Sequence, residues 1–180
     1  MDGIRVALLD PARADDGALA DELAALVNLV YATSEDGLWR DGAARTNAGE
    51  VAALIGAGEI AVAWLGDRVA GAVRIRALTD ATGEFGMLAA SPELRGIGIG
   101  SALVAFAERR CADRGLRTMQ LELLVPRRFA HPSKVRLDRW YRRLGYRVLR
   151  SVAPHELEPR LASFLATPCE FLVYEKPLAP

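Results

Sequence analysis

The stretch SPELRGIGIGSAL, residues 91–103, decides how the rest of the chain is interpreted. It has glycines at positions 96, 98 and 100, and Arg95 stands directly before the first of them. The segment that continues it, SALVAFAERRCADRG (101–115), has the apolar spacing of an amphipathic helix that ends at a glycine. A helix that begins in such a loop leaves backbone N–H groups free, and glycine lets an anion approach them closely. The stretch therefore predicts a phosphate-binding loop at a helix N-terminus.

Three glycine-rich designs bind phosphate in front of a helix, and the residues distinguish them. A Walker A loop needs a lysine after its last glycine, whereas Gly100 is followed by Ser101. A dinucleotide-binding fingerprint needs G-x-G-x-x-G directly after a strand, whereas residues 92–95 intervene here and serine takes the last position. The third design, R-x-x-G-x-G, is satisfied by Arg95, Gly98 and Gly100.

Length and composition restrict the class of protein. The chain has 180 residues, of which 51% are hydrophobic and 26% charged, and its formal net charge is zero, which predicts one globular domain over residues 1–180. Nothing in the overall charge favours nucleic acid or an anionic membrane as a partner. The sequence shows no signal peptide and no apolar run near the ~20 residues needed to span a bilayer. Two distant cysteines and two isolated histidines predict reduced thiols, no metal site and a cytoplasmic location.

Apolar periodicity divides the remaining chain into strands and helices. Strands are predicted at 4–9, 59–65, 68–78, 84–90, 116–125, 146–152 and 169–176. Helices are predicted at 20–32, 47–55, 101–115 and 134–145, with a short one near 155–166 that is broken by Pro159. Three consecutive strands joined by short turns predict an antiparallel meander. The expected fold is α+β, a single domain with a mixed, mostly antiparallel central sheet of about seven strands flanked by helices.

Two segments together resemble the GNAT superfamily of N-acetyltransferases. The segment LAASPELRGIGIGSALV (88–104) resembles the acetyl-CoA loop of that superfamily. The segment WYRRLGYRV (140–148) resembles its second signature, a helical tyrosine followed four residues later by glycine and then an aromatic residue. Two positions depart from the usual pattern. Ile97 stands where the family often has a basic residue, and Lys134 stands where it often has asparagine, so Lys134 is expected to meet a phosphate or to lie exposed at a helix start.

The resemblance implies a reaction and a donor. Acetyl-CoA would be the co-substrate, and its acetyl group would move to a primary amine by direct attack in a ternary complex. The implied cofactor-binding residues are Leu88, Ala89, Ala90, Arg95, Gly96, Ile97, Gly98, Ile99, Gly100 and Ser101. The expected acceptor is a small-molecule amine, with amino acids, polyamines, aminoglycoside-like compounds and protein amines all open. We expect a monomer or homodimer, and the alternative function is a non-catalytic CoA-binding sensor or interaction module.

Acetyl transfer to an amine needs a base and benefits from an acid, because lysine-like amines have a pKa near ~10.4. The resemblance implies that a glutamate at or near Glu84 acts on the amine, and Gly86 on the same strand face would leave room beside it. Glu84 could instead be a solvated residue at the end of the strand. Glu122 is the other candidate for the base. Tyr141 is the candidate acid, which the resemblance implies lies beside the sulfur of CoA; the alternative is a tyrosine packed on the sheet.

Local sequence patterns do not identify the acceptor amine, so only candidate substrate-binding residues can be named. Trp39 could pack on a substrate, and Glu35, Asp36 or Asp41 could attract a cation. The arginines between residues 127 and 150 are dense, but they lack the interleaved aromatic residues that suit base stacking. We expect them to form a solvated face, with one or two near the phosphates of CoA.

Overall fold

The central sheet has seven strands. The computed structural model describes residues 3–40 and 43–179. The strands are β1 (Ile4–Leu8), β2 (Ile60–Leu65), β3 (Arg68–Ala77), β4 (Thr82–Ala90), β5 (Thr118–Pro126), β6 (Arg147–Val152) and β7 (Cys169–Pro177). Their order in the sheet is β1-β2-β3-β4-β5-β7-β6, and all neighbours are antiparallel except β4 and β5. The predicted α+β fold with a mixed, mostly antiparallel sheet is confirmed.

Helices cover both faces of this sheet. They are α1 (Gly17–Ser34), α2 (Ala48–Gly56), α3 (Ile99–Asp113), α4 (Pro132–Arg143), α5 (Pro154–Leu157) and α6 (Pro159–Ala162). Short 3₁₀ turns occupy Pro11–Asp15 and Pro92–Leu94. The side chain of Asn47 caps α2, because its Oδ1 accepts a hydrogen bond from the N–H of Glu50 at 3.0 Å.

The alternation of side chains along β2 separates two hydrophobic layers. Ile60 and Val62 pack with α1 and α2, whereas Ala61 and Ala63 belong to the hydrophobic cluster that includes residues of α3 and α4. Gly71 on β3 allows the start of α3 to lie directly on the sheet. A Cβ at that position would be 2.7 Å from the carbonyl oxygen of Ala89 and 2.8 Å from a methyl carbon of Ile99.

The parallel pair β4 and β5 opens along its length, and this opening positions the site. Each strand has nine residues, yet they pair only from Thr82 with Thr118 to Glu84 with Gln120. Beyond this point β4 contains a bulge, where Met87 has a φ of 48° and the register with β3 shifts. A gap between the two strands therefore faces both helical layers.

Over residues 3–40 and 43–179, no helix combines the length and apolar character needed to span a bilayer. The same ranges contain no group of three or more His, Cys, Asp or Glu side chains that could hold a metal ion. Cys111 and Cys169 are buried, free thiols.

Candidate active site

Two cavities meet at the gap between β4 and β5. The larger, of about 590 Å³, extends towards Arg95, Gly100 and Trp140, and we call it the glycine-loop cavity. The smaller, of about 360 Å³, lies beneath α1 and α2 beside Glu84 and Gly86, and we call it the glutamate cavity. The residues that line both are Tyr31, Arg45, Leu88, Glu122, Tyr141 and Phe171. The two cavities therefore share a junction at which two molecules could touch.

The glycine loop presents unpaired backbone donors at the start of α3. Gly96 and Gly98 have φ values of 83° and 93°, in the left-handed region that glycine adopts readily. The first backbone bond of the helix is donated by the N–H of Ala102 to the carbonyl of Gly98 at 2.9 Å. Within the described chain, the N–H groups of residues 96–101 donate to no backbone carbonyl. These donors and the positive end of the helix dipole suit an anion such as a pyrophosphate.

The ten residues implied to bind the cofactor fall into three groups. Those that line the glycine-loop cavity are Leu88, Ala90, Arg95 and Gly100. Those exposed along the loop are Gly96, Ile97, Gly98 and Ser101. Those with side chains buried in the core are Ala89 and Ile99. Only backbone atoms of the last pair could contact a ligand.

Tyr141 projects from α4 into the junction. Its ring packs among aromatic side chains, with centroids 6.1 Å from Phe85 and 6.0 Å from Tyr174. Its hydroxyl makes no hydrogen bond with any described residue, although the side chain lines both cavities. Burial raises the pKa of this phenol above its ordinary value, so it stays protonated at neutral pH. Tyr141 is thus a packed core residue whose protonated hydroxyl group faces the site.

Glu84 lies in the glutamate cavity, paired with an arginine. Its carboxylate accepts a hydrogen bond from Arg76, which is its direct neighbour across the β3–β4 ladder. The residue is 7% exposed, so it is not a solvated strand end. Glu84 lines the glutamate cavity but not the glycine-loop cavity.

Glu122 shares the face of Glu84 but lies at the junction itself. Gln120 pairs with Glu84, and Glu122 follows two residues later on the same face of β5. No described residue forms an ion pair or hydrogen bond with the Glu122 carboxylate. Burial, and then the negative charge of Glu84, raise its pKa to about 7. Glu122 can therefore accept and release a proton near neutral pH.

A family model described as Acetyltransferase (GNAT) family matches residues 28–146. The chain belongs to the GNAT acetyltransferase family. The match includes the glycine loop, Glu84, Glu122 and Tyr141, and it confirms the family suggested by the two sequence signatures.

Solved GNAT structures share the fold over nearly the whole chain. An aminoglycoside 6'-N-acetyltransferase complexed with coenzyme A is 17% identical, covers 98% of both chains and superposes with a TM-score of 0.70. Ard1 from Thermoplasma volcanium is 13% identical over 99% of both chains, with a TM-score of 0.66. The yncA protein from Salmonella typhimurium, solved with acetyl-CoA, is 14% identical over 99% of this chain and 95% of its own, with a TM-score of 0.65. No curated protein sequence matches the chain significantly.

In this GNAT protein, Glu35 and Trp39, the side chains expected to contact substrate, bond to each other, and their contact with a substrate stays a prediction. Glu35 is 3% exposed, and both of its carboxylate oxygens are occupied. Oε1 accepts from Nζ of Lys134 at 2.6 Å, and Oε2 accepts from Nε1 of Trp39 at 2.5 Å. The expectation that Lys134 lies exposed at a helix start is therefore wrong, because this side chain is buried against Glu35. It lines the glycine-loop cavity, so a contact with phosphate stays a prediction. Asp36 is exposed away from the junction, and Asp41 lies outside the described residues.

We expect Lys134→Met to destabilise the GNAT domain by about 3–5 kcal/mol, because it leaves the buried Glu35 carboxylate without its countercharge. Thermal unfolding followed by circular dichroism should show a melting temperature lower by roughly 10 °C. Arg142→Met on the same helix removes an exposed pair with Asp138 and should leave the melting temperature close to that of the wild type. The double variant Glu35→Gln, Lys134→Met should recover stability; equal melting temperatures for all variants would contradict this role.

Sequence reasoning did not identify two polar residues at the junction, Tyr31 and Arg45. Their positions depend on a contact between α1 and the loop before α2, in which Oδ1 of Asn28 accepts from the N–H groups of Arg45 and Thr46 at 2.9 and 3.1 Å. No local pattern signals such a contact. The arginines between 127 and 150 are exposed as expected, and Arg136 lines the glycine-loop cavity.

Proposed function

We propose that residues 1–180 act as one catalytic domain, which transfers the acetyl group of acetyl-CoA to a primary amine on a small molecule. The observation that carries this proposal is the junction of two cavities at Leu88, Glu122 and Tyr141. Two substrates, one in each cavity, can meet there, as direct attack in a ternary complex requires. Family membership and a fold shared with a coenzyme A complex support the donor. A cavity of about 360 Å³ and aminoglycoside-acetylating relatives support a small acceptor.

The glycine-loop cavity suits acetyl-CoA in its charge and shape. The free N–H groups of residues 96–101 would hold the pyrophosphate, and the exposed Arg95 and Arg136 would add positive charge beside it. The apolar side chains of Leu88 and Trp140 line the route from the loop to the junction. Acetyl-CoA supplies a thioester, whose carbonyl carbon would reach the junction at the end of this route.

Glu122 is the base that this arrangement favours. It accepts the proton that the amine loses as its nitrogen attacks the thioester carbonyl, and a pKa of about 7 suits that exchange at neutral pH. Its position at the junction puts it next to both substrates. Glu84 is the alternative base, but its carboxylate is already paired with Arg76 and does not line the glycine-loop cavity. We assign Glu84 a supporting role, in which its charge raises the proton affinity of Glu122.

The bulge in β4 supports a donor for the oxygen of the thioester. Met87 and Leu88 have no partner in the β3–β4 ladder, whereas Ala89 pairs with Ala72. The backbone of Leu88 thus departs from regular strand pairing at a position that lines both cavities, and we propose its N–H as the donor. It can stabilise negative charge as the carbonyl oxygen becomes an oxyanion. The carbon–sulfur bond then breaks with its electron pair on sulfur, and Tyr141 donates a proton to that sulfur.

We expect Tyr141→Phe to lower kcat by about 10²-fold while acetyl-CoA affinity stays the same, because the ring remains and only the proton donor is lost. Release of the CoA thiol, measured over a panel of primary amines, gives kcat, and calorimetry gives the affinity. Tyr174→Phe is the matched control. Its hydroxyl donates to Asp138 at 2.6 Å within the same aromatic cluster, outside both cavities.

Equal turnover of Tyr141→Phe and the wild type at every pH would make Tyr141 a packing residue. Tight acetyl-CoA binding without thiol release by any amine would contradict the proposed function and favour a CoA-binding module.

A further inference from the structure

Arg45 is a half-buried cation at the junction that forms no ion pair with any described residue. Its Nη1 is fully buried and makes no hydrogen bond. The guanidinium carbon lies 4.9 Å from the ring centre of Tyr31 and 5.6 Å from that of Trp39, so the group is held between two aromatic side chains. No described carboxylate forms an ion pair with it. Leaving a buried guanidinium donor without a hydrogen bond costs free energy. A ligand that accepts a hydrogen bond from Nη1 would remove this cost.

The backbone at Arg45 is anchored, which makes its side chain a defined part of the site. Asn28 on α1 accepts from the N–H groups of Arg45 and Thr46, and its Nδ2 donates to the carbonyl of Thr46 at 2.9 Å. The side chain of Arg45 lines both the glycine-loop cavity and the glutamate cavity.

Most of the other charged side chains that line the glutamate cavity already form ion pairs. Three further arginines line this cavity, and each already has a carboxylate partner: Arg74 with Glu59, Arg76 with Glu84 and Arg160 with Glu50. The groups without a partner among the described residues are Arg45, Glu122 and Glu158. The cavity thus offers carboxylates for an amine and one guanidinium for an anion.

We propose that the acceptor carries a carboxylate as well as the primary amine, as an amino acid does, and that Arg45 binds that carboxylate while the amine faces Glu122. This inference rests on the proposed function and specifies its substrate class. A carboxylate can accept two parallel hydrogen bonds from a guanidinium, which satisfies the buried Nη1. A polycationic acceptor would leave Arg45 unpaired and bring positive charge against it. The charge pattern therefore favours a zwitterion over an acceptor that carries several amines and no acid.

The test compares amino acids with their own carboxamides, which retain size and hydrogen bonding but lack the negative charge. The panel includes both α- and ω-amino acids, and thiol release from acetyl-CoA is measured from pH 7 to 9 so that differences in amine pKa are separated from binding. For the best substrate pair, we expect the wild type to favour the acid over the amide by roughly 10- to 100-fold in kcat/KM. Arg45→Met should lower this ratio to about one, and Arg45→Lys should retain part of it.

Arg160→Met is the matched control, because Arg160 lines the same cavity but is already paired with Glu50, so its loss should leave the ratio intact. A wild type that accepts amides as well as acids, or a ratio that survives Arg45→Met, would overturn the inference and leave the acetyltransferase proposal standing. An Arg45→Met effect confined to acetyl-CoA affinity, measured by calorimetry, would also overturn it by assigning Arg45 to the donor. Absence of thiol release with every amine would overturn the proposed function and this inference with it.

Discussion

Gly98→Val is expected to abolish measurable acetyl-CoA binding while the protein stays folded. Gly98 has a φ of 93° and stands directly before α3, where the free N–H groups lie. A Cβ at this position would meet no protein atom within 4 Å, so the space that valine fills is the space in front of these donors. Valine also disfavours this φ, which would move the donors. Calorimetry with acetyl-CoA measures the loss directly.

Gly115→Val is the matched control for this experiment. Gly115 follows the other end of α3, has a φ of 80° and also has no protein atom within 4 Å of a Cβ. Both variants therefore carry a similar backbone strain, of about 1–2 kcal/mol. Only the variant at the loop should lose acetyl-CoA. Equal affinity in Gly98→Val and the wild type would remove the loop from the donor site.

The sheet and the main helices could be predicted because their signals are local. Alternating and continuous apolar runs indicate the strands, and most predicted ends fall within two residues of the observed ones. Helices α1 and α4 begin earlier than predicted, because local residues at the N-terminus set the first helical turn. Helix α1 begins at Gly17, before the predicted start, because the side chain of Asp16 accepts from the N–H of Leu19 at 3.0 Å. Helix α4 begins at Pro132, since proline suits the first helical position.

The site was only partly predictable from the sequence. Some of its residues belong to one short motif, whereas others are brought together from distant positions in the chain. The glycine loop and Tyr141 belong to short motifs and could be located. The relative merits of Glu84 and Glu122 depend on the register of β4 with β5 and on the point at which the ladder ends, which no local pattern specifies. The burial of Glu35 and Lys134 could not be predicted, because their ion pair joins positions 99 residues apart.

Glu122→Gln is expected to lower kcat/KM at pH 7 by about 10³-fold, within the range typical of a positioned base. Glutamine keeps the size of the side chain but cannot accept the proton of the amine. The loss should not come from misfolding. A carboxyl whose pKa is raised by burial destabilises the folded state once it ionises, and this cost is present above about pH 7 and absent below its ordinary pKa. At pH 8 the variant should therefore melt at or above the temperature of the wild type.

The pH profile of kcat/KM, measured for the wild type, Glu122→Gln and Glu84→Gln, tests the central claim most directly. We expect the wild-type profile to rise with an inflection near pH 7 as Glu122 loses its proton. Glu122→Gln should lack that inflection, and its deficit should shrink at high pH as the free amine becomes abundant. Glu84→Gln should retain most of the rate and move the inflection to lower pH, because the charge that raises the pKa of Glu122 is gone. An inflection that survives in Glu122→Gln but disappears in Glu84→Gln would contradict this account and make Glu84 the base.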